Sequence, residues 1–320
     1  GSGTGHLPGP GTGTGAGAEQ RPAGGGGVSV ATTPAAVGQL VGSSRPLSWI
    51  NTAFPFAAAY LMAGGGVDVA LVVGTLYFLI PYNLAMYGLN DVFDYESDLR
   101  NPRKGGVEGV VLDRRWHRLT IWAAVVTNLP FLVALVLLGT PPSAVVLTVS
   151  VFAVVAYSAP PMRFKERPVL DSMTSSTHFV SPAVFGLVLA GGALSRTAVV
   201  ALAAFFVWGV ASQAFGAVQD VTADRQAGIA SIATWLGATR TVRLSMVLYA
   251  VSGLLLLGAG WPAALAGLLA LPYLLSIAPF RSLPDADCEA ANAGWRRFLW
   301  LNLVTGFLLT QLLIWIAWGG

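Results

Sequence analysis

The residues best placed to do chemistry in this chain are acidic and stand in two ladders: Asn90, Asp91, Asp94 and Asp98 in NDVFDYESD, and Asp220 with Asp224 in DVTADRQAG. Side chains four apart on a helix share a face, so carboxylates spaced in this way repel unless a cation sits between them. A hard divalent ion such as Mg²⁺ neutralises them and still leaves coordination positions for phosphate oxygens. A pair of ladders therefore predicts two Mg²⁺ ions gripping one diphosphate from both flanks. A diphosphate also needs direct cationic donors. YSAPPMRFKERP offers Arg163 and Lys165 beside Tyr157, and SRP offers Arg45. Arg103 and Lys104, in the Gly-rich NPRKGG, suit a flap over the phosphates. The chemistry is expected to fall on Asp94, Asp98, Asp220, Asp224 and Lys165, in an enzyme that handles a diphosphate inside a membrane.

The membrane follows from composition. Among 320 residues 54% are hydrophobic and only 10% charged, against roughly 25% charged in soluble domains. Hydrophobic segments recur at roughly 47–64, 67–89, 119–138, 143–160, 169–191, 197–218, 241–258, 261–280 and 298–317, which predicts an all-α polytopic bundle of about nine transmembrane helices. Pro55, Pro81, Pro130, Pro182 and Pro272 are expected to kink or end helices, as a membrane bundle tolerates. Residues 1–40 are rich in Gly, Pro and Thr and lack aromatic residues. They are expected to form a disordered tail ahead of a membrane domain over 41–320, with no secretory signal. The single cysteine, Cys288, excludes an intrachain disulfide.

With the amino terminus inside, all of the 18 Lys and Arg residues except Arg196 fall on the inner side. This bias supports a cytoplasmic amino terminus, a cytoplasmic mouth for the site and residence in the cell's inner membrane. It also accounts for the net charge of +3 without nucleic acid as a partner.

Further polar residues run into the hydrocarbon. Asn83, Tyr87, Asn90, Asp94 and Asp98 trace one stripe along the second span. A solvated helix end is the plain alternative for acidic residues alone, but polar groups two turns into a membrane are costly unless they face a cavity or a partner. Ser212, Gln213 and Gln219 repeat the pattern before Asp220, and Asn51 is placed to line the same space. Asp171, Ser175 and His178 share a face of the fifth span. His178 suits either a structural hydrogen bond or a base.

NDVFDYESD, DVTADRQAG and the intervening YSAPPMRFK, each at the inner end of a span, resemble the UbiA superfamily of intramembrane prenyltransferases. The resemblance runs from residue 45 to about 317. It implies nine helices around a central cavity that opens laterally to lipid, with two Mg²⁺ ions holding an isoprenyl diphosphate. It further implies that Asn90, Asp94, Asp98, Asp220 and Asp224 are ligands to metal or metal-bound water, and that Tyr157, Arg163 and Lys165 contact the diphosphate. NDVFDYESDLRNPRKGGVEG and YSAPPMRFKERPVLDS look most like the bacterial lycopene elongases, which implies a dimethylallyl donor and a C45 or C50 carotenoid product. YSAPP is also similar to the loop of chlorophyll synthases, so an aromatic quinone precursor or a chlorophyll-type acceptor is the rival substrate. Thr222 and Ala223 depart from the usual second ladder, which bears on the acceptor more than on the chemistry. A cation transporter, the rival of a different class, would need polar residues on the outer halves of the helices, and few are present.

Overall fold

The computed structural model describes residues 33–99 and 112–319. Helix already begins at Thr33, inside the stretch expected to be tail, while Arg103 and Lys104 lie outside the described residues. No strand occurs among the described residues.

The chain opens with α1 (Thr33–Ser44) and α2 (Ile50–Met62), followed by α3 (Val69–Leu79) and α4 (Pro81–Phe93). Asp68 caps α3 by accepting from the Leu71 amide at 3.0 Å, satisfying a donor the helix end would otherwise leave without a partner. Pro81 breaks the second hydrophobic segment because it lacks an N–H. The gap is filled from the side: the Asn83 amide donates to the carbonyls of Phe78 (2.9 Å) and Leu79 (3.1 Å), and the Thr52 hydroxyl to Phe78 (2.6 Å). Pro55, Pro130 and Pro182 instead lie inside their helices.

A short α5 (Tyr95–Asp98) follows, then α6 (Arg114–Leu138), α7 (Pro141–Ser158), α8 (Leu170–Leu189) and α9 (Arg196–Val218). The carboxyl-terminal part holds α10 (Val221–Ala227), α11 (Ile232–Leu236), α12 (Ala238–Leu255), α13 (Ala270–Ile277) and α14 (Asn292–Gly319). The packed pairs are α2 with α8, α8 with α9 and α9 with α12, then α12 with α13 and α13 with α14. On the other flank α4 packs on α6 and α7 on α8.

Helices cover all the hydrophobic segments, but among the described residues only 7 stretches are long and apolar enough to cross a bilayer, α3 with α4 (Val69–Phe93) counting as one and α13 with the 3₁₀ turns flanking it (Ala263–Phe280) as another. Two fall short for different reasons. With 13 residues, α2 rises about 20 Å against a hydrocarbon core of about 30 Å. α8 has 20 residues, but Asp171, His178 and a run of Ser and Thr reduce its apolarity.

Lipid tails are as apolar as leucine, so helix association in a membrane rests on close packing. An aromatic cluster of Phe56, Tyr77, Phe78, Tyr82 and Phe185 knits α2, α3, α4 and α8 together, and Phe215, Tyr249, Tyr273 and Phe298 do the same for α9, α12, α13 and α14. A glycine permits the tightest approach: a Cβ on Gly186 of α8 would run into the Phe56 carbonyl of α2.

Candidate active site

Each ladder crosses a point where one helix hands over to another. Asp94 joins α4 to α5 with φ −101° and ψ 2°, and Asp220 joins α9 to α10 with φ −101° and ψ 0°. Helical hydrogen bonds run through both junctions: the Asp94 amide donates to Asn90 (2.9 Å), that of Asp98 to Asp94 (2.8 Å), and that of Asp224 to Asp220 (2.8 Å). The bend therefore keeps each ladder on one face.

Asn90, Asp94, Asp98, Asp220 and Asp224 all line one cavity of about 1400 Å³, above the 300–1,000 Å³ usual for small-molecule sites. Arg45, Tyr157 and Lys165 line the same space, as do Asn51, Tyr87, His178 and Gln213. The cavity follows α9 from Thr197 to Asp220, a rise of about 35 Å. Away from the acidic end its walls are mainly apolar, with Ala183, Leu187, Phe205, Trp208, Leu303 and Leu313 among them.

At the acidic mouth the Lys165 ammonium is paired with Asp94 and lies 3.3 Å from the Asn90 carbonyl oxygen. The Ser158 hydroxyl donates to the same Asn90 oxygen at 3.2 Å. Burial pulls the Lys165 ammonium below the usual lysine range, and the Asp94 carboxylate opposes that fall. The loop carrying it is strained: Arg163 and Val169 have φ of 39° and 74°, and Arg45 across the mouth has φ of 51°. Left-handed backbone at such residues costs of order 1–3 kcal/mol each and persists only where the surroundings impose it.

Not every expected residue reaches the cavity. Asp91 is fully buried and holds Arg45 through an ion pair of 3.0 Å, with the Arg45 guanidinium 4.4 Å above the Tyr87 ring. Expected among the metal ligands, Asp91 lies off the cavity lining and anchors Arg45, because at about 100° per residue it is turned off the Asn90 stripe. Asn83 is also off the lining, occupied with the helix break. Arg163 stands behind the mouth, paired with Glu166 and 3.6 Å from Asp94, rather than on the lining.

Tyr157 is held by its neighbours: Ser175 donates to Gln213 at 2.9 Å, Gln213 donates to the Tyr157 hydroxyl at 3.4 Å, and the His178 ring meets the Tyr157 ring edge-on at 5.1 Å. Sequence reasoning missed Tyr273, which donates to Asn302 at 2.8 Å and contacts Thr305 at 2.6 Å on the cavity wall. Asn302 and Thr305, three apart in an apolar span, were the available signal.

Residues 52–303 match the UbiA prenyltransferase family. The chain belongs to that family. It is an enzyme that transfers prenyl groups. It is 54% identical to a lycopene elongase/hydratase of Corynebacterium glutamicum over 85% of this chain and 95% of that protein. It is 55% identical to the C(50) beta-cyclic carotenoids biosynthesis protein LbtBC of Dietzia sp. (strain CQ4), matching 88% of this chain but spanning only 66% of that longer protein. A UbiA homolog from Archaeoglobus fulgidus, solved bound to DMAPP and Mg²⁺, shares the UbiA fold with a TM-score of 0.61 at 18% identity, over 83% of this chain and 98% of that one.

The oxygen donors of the two ladders suit a hard divalent ion. Among the described residues no three His, Cys, Asp or Glu side chains form a ready-made cage. That arrangement fits Mg²⁺, which keeps several waters and is held through one or two carboxylates together with substrate phosphates.

Proposed function

We propose that this chain transfers a dimethylallyl group from its diphosphate to lycopene, in a Mg²⁺-dependent reaction that leads to C45 and C50 carotenoids. The observation that carries the proposal is a single cavity with carboxylates and cations at one end and apolar walls along the length of α9. The names of the relatives support the acceptor, and the DMAPP and Mg²⁺ of the Archaeoglobus fulgidus homolog support the donor and the metal.

Asn90, Asp94 and Asp98 would hold metal on one flank of the diphosphate, and Asp220 and Asp224 on the other, one ion on each. When bound, the metal supplies positive charge that stabilises the departing diphosphate. Lys165 and Arg45 add cationic donors at the mouth, and the Tyr157 hydroxyl, oriented by Gln213, adds a neutral one. Arg163 and Asp91 work behind them, as partners of Asp94 and Arg45. The apolar walls keep water from the allylic cation until the terminal double bond of the acceptor attacks it, and the tertiary cation so formed then loses a proton or captures water.

An aromatic acid acceptor would want a cation deep in the pocket. Among the described lining residues the Lys and Arg side chains are Arg45 and Lys165, both at the mouth, which favours a hydrocarbon acceptor. The positive-inside distribution supports a mouth on the cytoplasmic face of the plasma membrane.

The test is expression of the chain in a lycopene-accumulating host, followed by pigment extraction. C45 and C50 products are expected, and none with Asp94→Ala. Unchanged lycopene from a well-expressed wild type would refute the acceptor.

A further inference from the structure

Lys165 occupies two of the oxygens that the first ladder would offer a metal, one of Asp94 and that of Asn90. Its ammonium sits on Asp94 and 3.3 Å from the Asn90 side-chain oxygen. It is no solvated anchor, since its side chain is only 10% exposed and that of Asp94 16%. Arg163 adds a second positive charge 3.6 Å from Asp94. A cation binding to Asp94 and Asn90 must therefore displace one already there. Removing a buried counter-ion without offering it another partner is costly. A diphosphate arriving with the metal supplies that partner: the lysine stem is flexible and its ammonium is a point charge that can swing from carboxylate to phosphate.

We propose that Lys165 is a specificity-determining residue that makes the first ladder accept the metal–diphosphate complex and reject the free metal. This rests on the reading of Asn90 and Asp94 as metal ligands and adds an order to it. Free divalent ion meets an occupied site. The complex exchanges a Lys165–Asp94 pair for a metal–Asp94 contact and a Lys165–phosphate pair, so the charge of every group stays matched.

The test uses the full chain in detergent and Mn²⁺ as the probe, with unbound Mn²⁺ read by electron paramagnetic resonance, in the absence and presence of inorganic pyrophosphate. Wild-type protein should take up Mn²⁺ weakly alone and tightly with pyrophosphate. Lys165→Met should bind Mn²⁺ alone about tenfold more tightly than wild type, roughly 1.4 kcal/mol, and Lys165→Arg, which restores a cation, should return to the wild-type value. Arg163→Gln should give a smaller rise in the same direction, and it carries the test should Lys165→Met fail to fold. Equal Mn²⁺ affinity in wild type and Lys165→Met, with both still responding to pyrophosphate, would overturn the exchange while leaving the metal ligands in place. Tight binding of two Mn²⁺ ions per chain by wild type without pyrophosphate would overturn it as well. No uptake by any of these proteins, even with pyrophosphate, would remove the metal reading and the exchange together.

Discussion

Asp91→Asn separates an anchor from a ligand, because Asp91 stands beside Asn90 in sequence and away from the cavity in space. The side chain is fully buried and its carboxylate holds Arg45 at 3.0 Å. Removing one partner of a fully buried pair costs about 3–5 kcal/mol. Here Arg45 keeps 21% of its side chain exposed and retains the Tyr87 ring, so the expected cost is lower, about 2–3 kcal/mol. The loss divides between unfolding stability and the position of Arg45 at the mouth. If all of it appeared in donor affinity, the Michaelis constant would rise roughly 30- to 150-fold. Metal uptake should stay close to wild type, whereas Asp94→Asn should lose the ion of the first ladder. The assays are thermal unfolding in detergent, Mn²⁺ uptake with pyrophosphate, and the Michaelis constant for the donor. A stable Asp91→Asn protein that loses Mn²⁺ as completely as Asp94→Asn would refute the anchor role.

Asp94→Ala and Asp220→Ala should each lower turnover by at least about a hundredfold with the fold intact, as should excess EDTA on the wild type; full rates under any of these conditions would contradict the roles given to the ladders. Asn83→Ala removes the side-chain donor of the Leu79 carbonyl and leaves that of Phe78 to Thr52 alone, and should cost about 1–3 kcal/mol of stability without changing the donor Michaelis constant; an unchanged unfolding temperature would count against the repair of the Pro81 break. Outside the bilayer, the Ala238 amide and the Arg225 guanidinium hold the Asp285 carboxyl below its usual range. A depressed carboxylate stabilises above its unfolded value of about 3.9 and loses that contribution as pH falls through its folded value. Hydrogen-exchange protection of the Ala238 amide should therefore be flat at neutral pH and drop in acid. The Asp285→Asn protein should lack the step, and a step of the same size in that variant would assign it to another group.

The ladders were legible in the sequence because four-residue spacing survives the helix junctions that carry them. Nothing in the spacing announced the junctions, since Asp94 and Asp220 keep helical hydrogen bonds across the bend. Asp91 stands beside Asn90 in the motif but faces Arg45 rather than the cavity, because adjacency in sequence does not fix the angle on the helix. Asn83 shared the stripe and the correct angle, yet the break at Pro81 claimed it, a demand that depends on Thr52 and the turn of α3 into α4. Arg163 was expected on the diphosphate, and nothing in the spacing announced the left-handed backbone at this position or the pairing with Glu166 behind the mouth. The hydrophobic segments were found within a few residues, but the shortness of α2 and the polar face of α8 show that hydropathy locates such helices better than it decides whether each one crosses the membrane.

With the proposed donor and acceptor, a chamber with charged groups at one end and hydrocarbon walls along its length makes a catalyst that works across a phase boundary. The effective concentration of an apolar acceptor is its mole fraction among the surrounding lipids, while a diphosphate donor is counted per volume of water. Adding inert lipid or detergent at fixed totals should slow the reaction by surface dilution, and adding salt should weaken donor capture alone. Rates measured at one lipid ratio therefore describe the mixture as much as the protein.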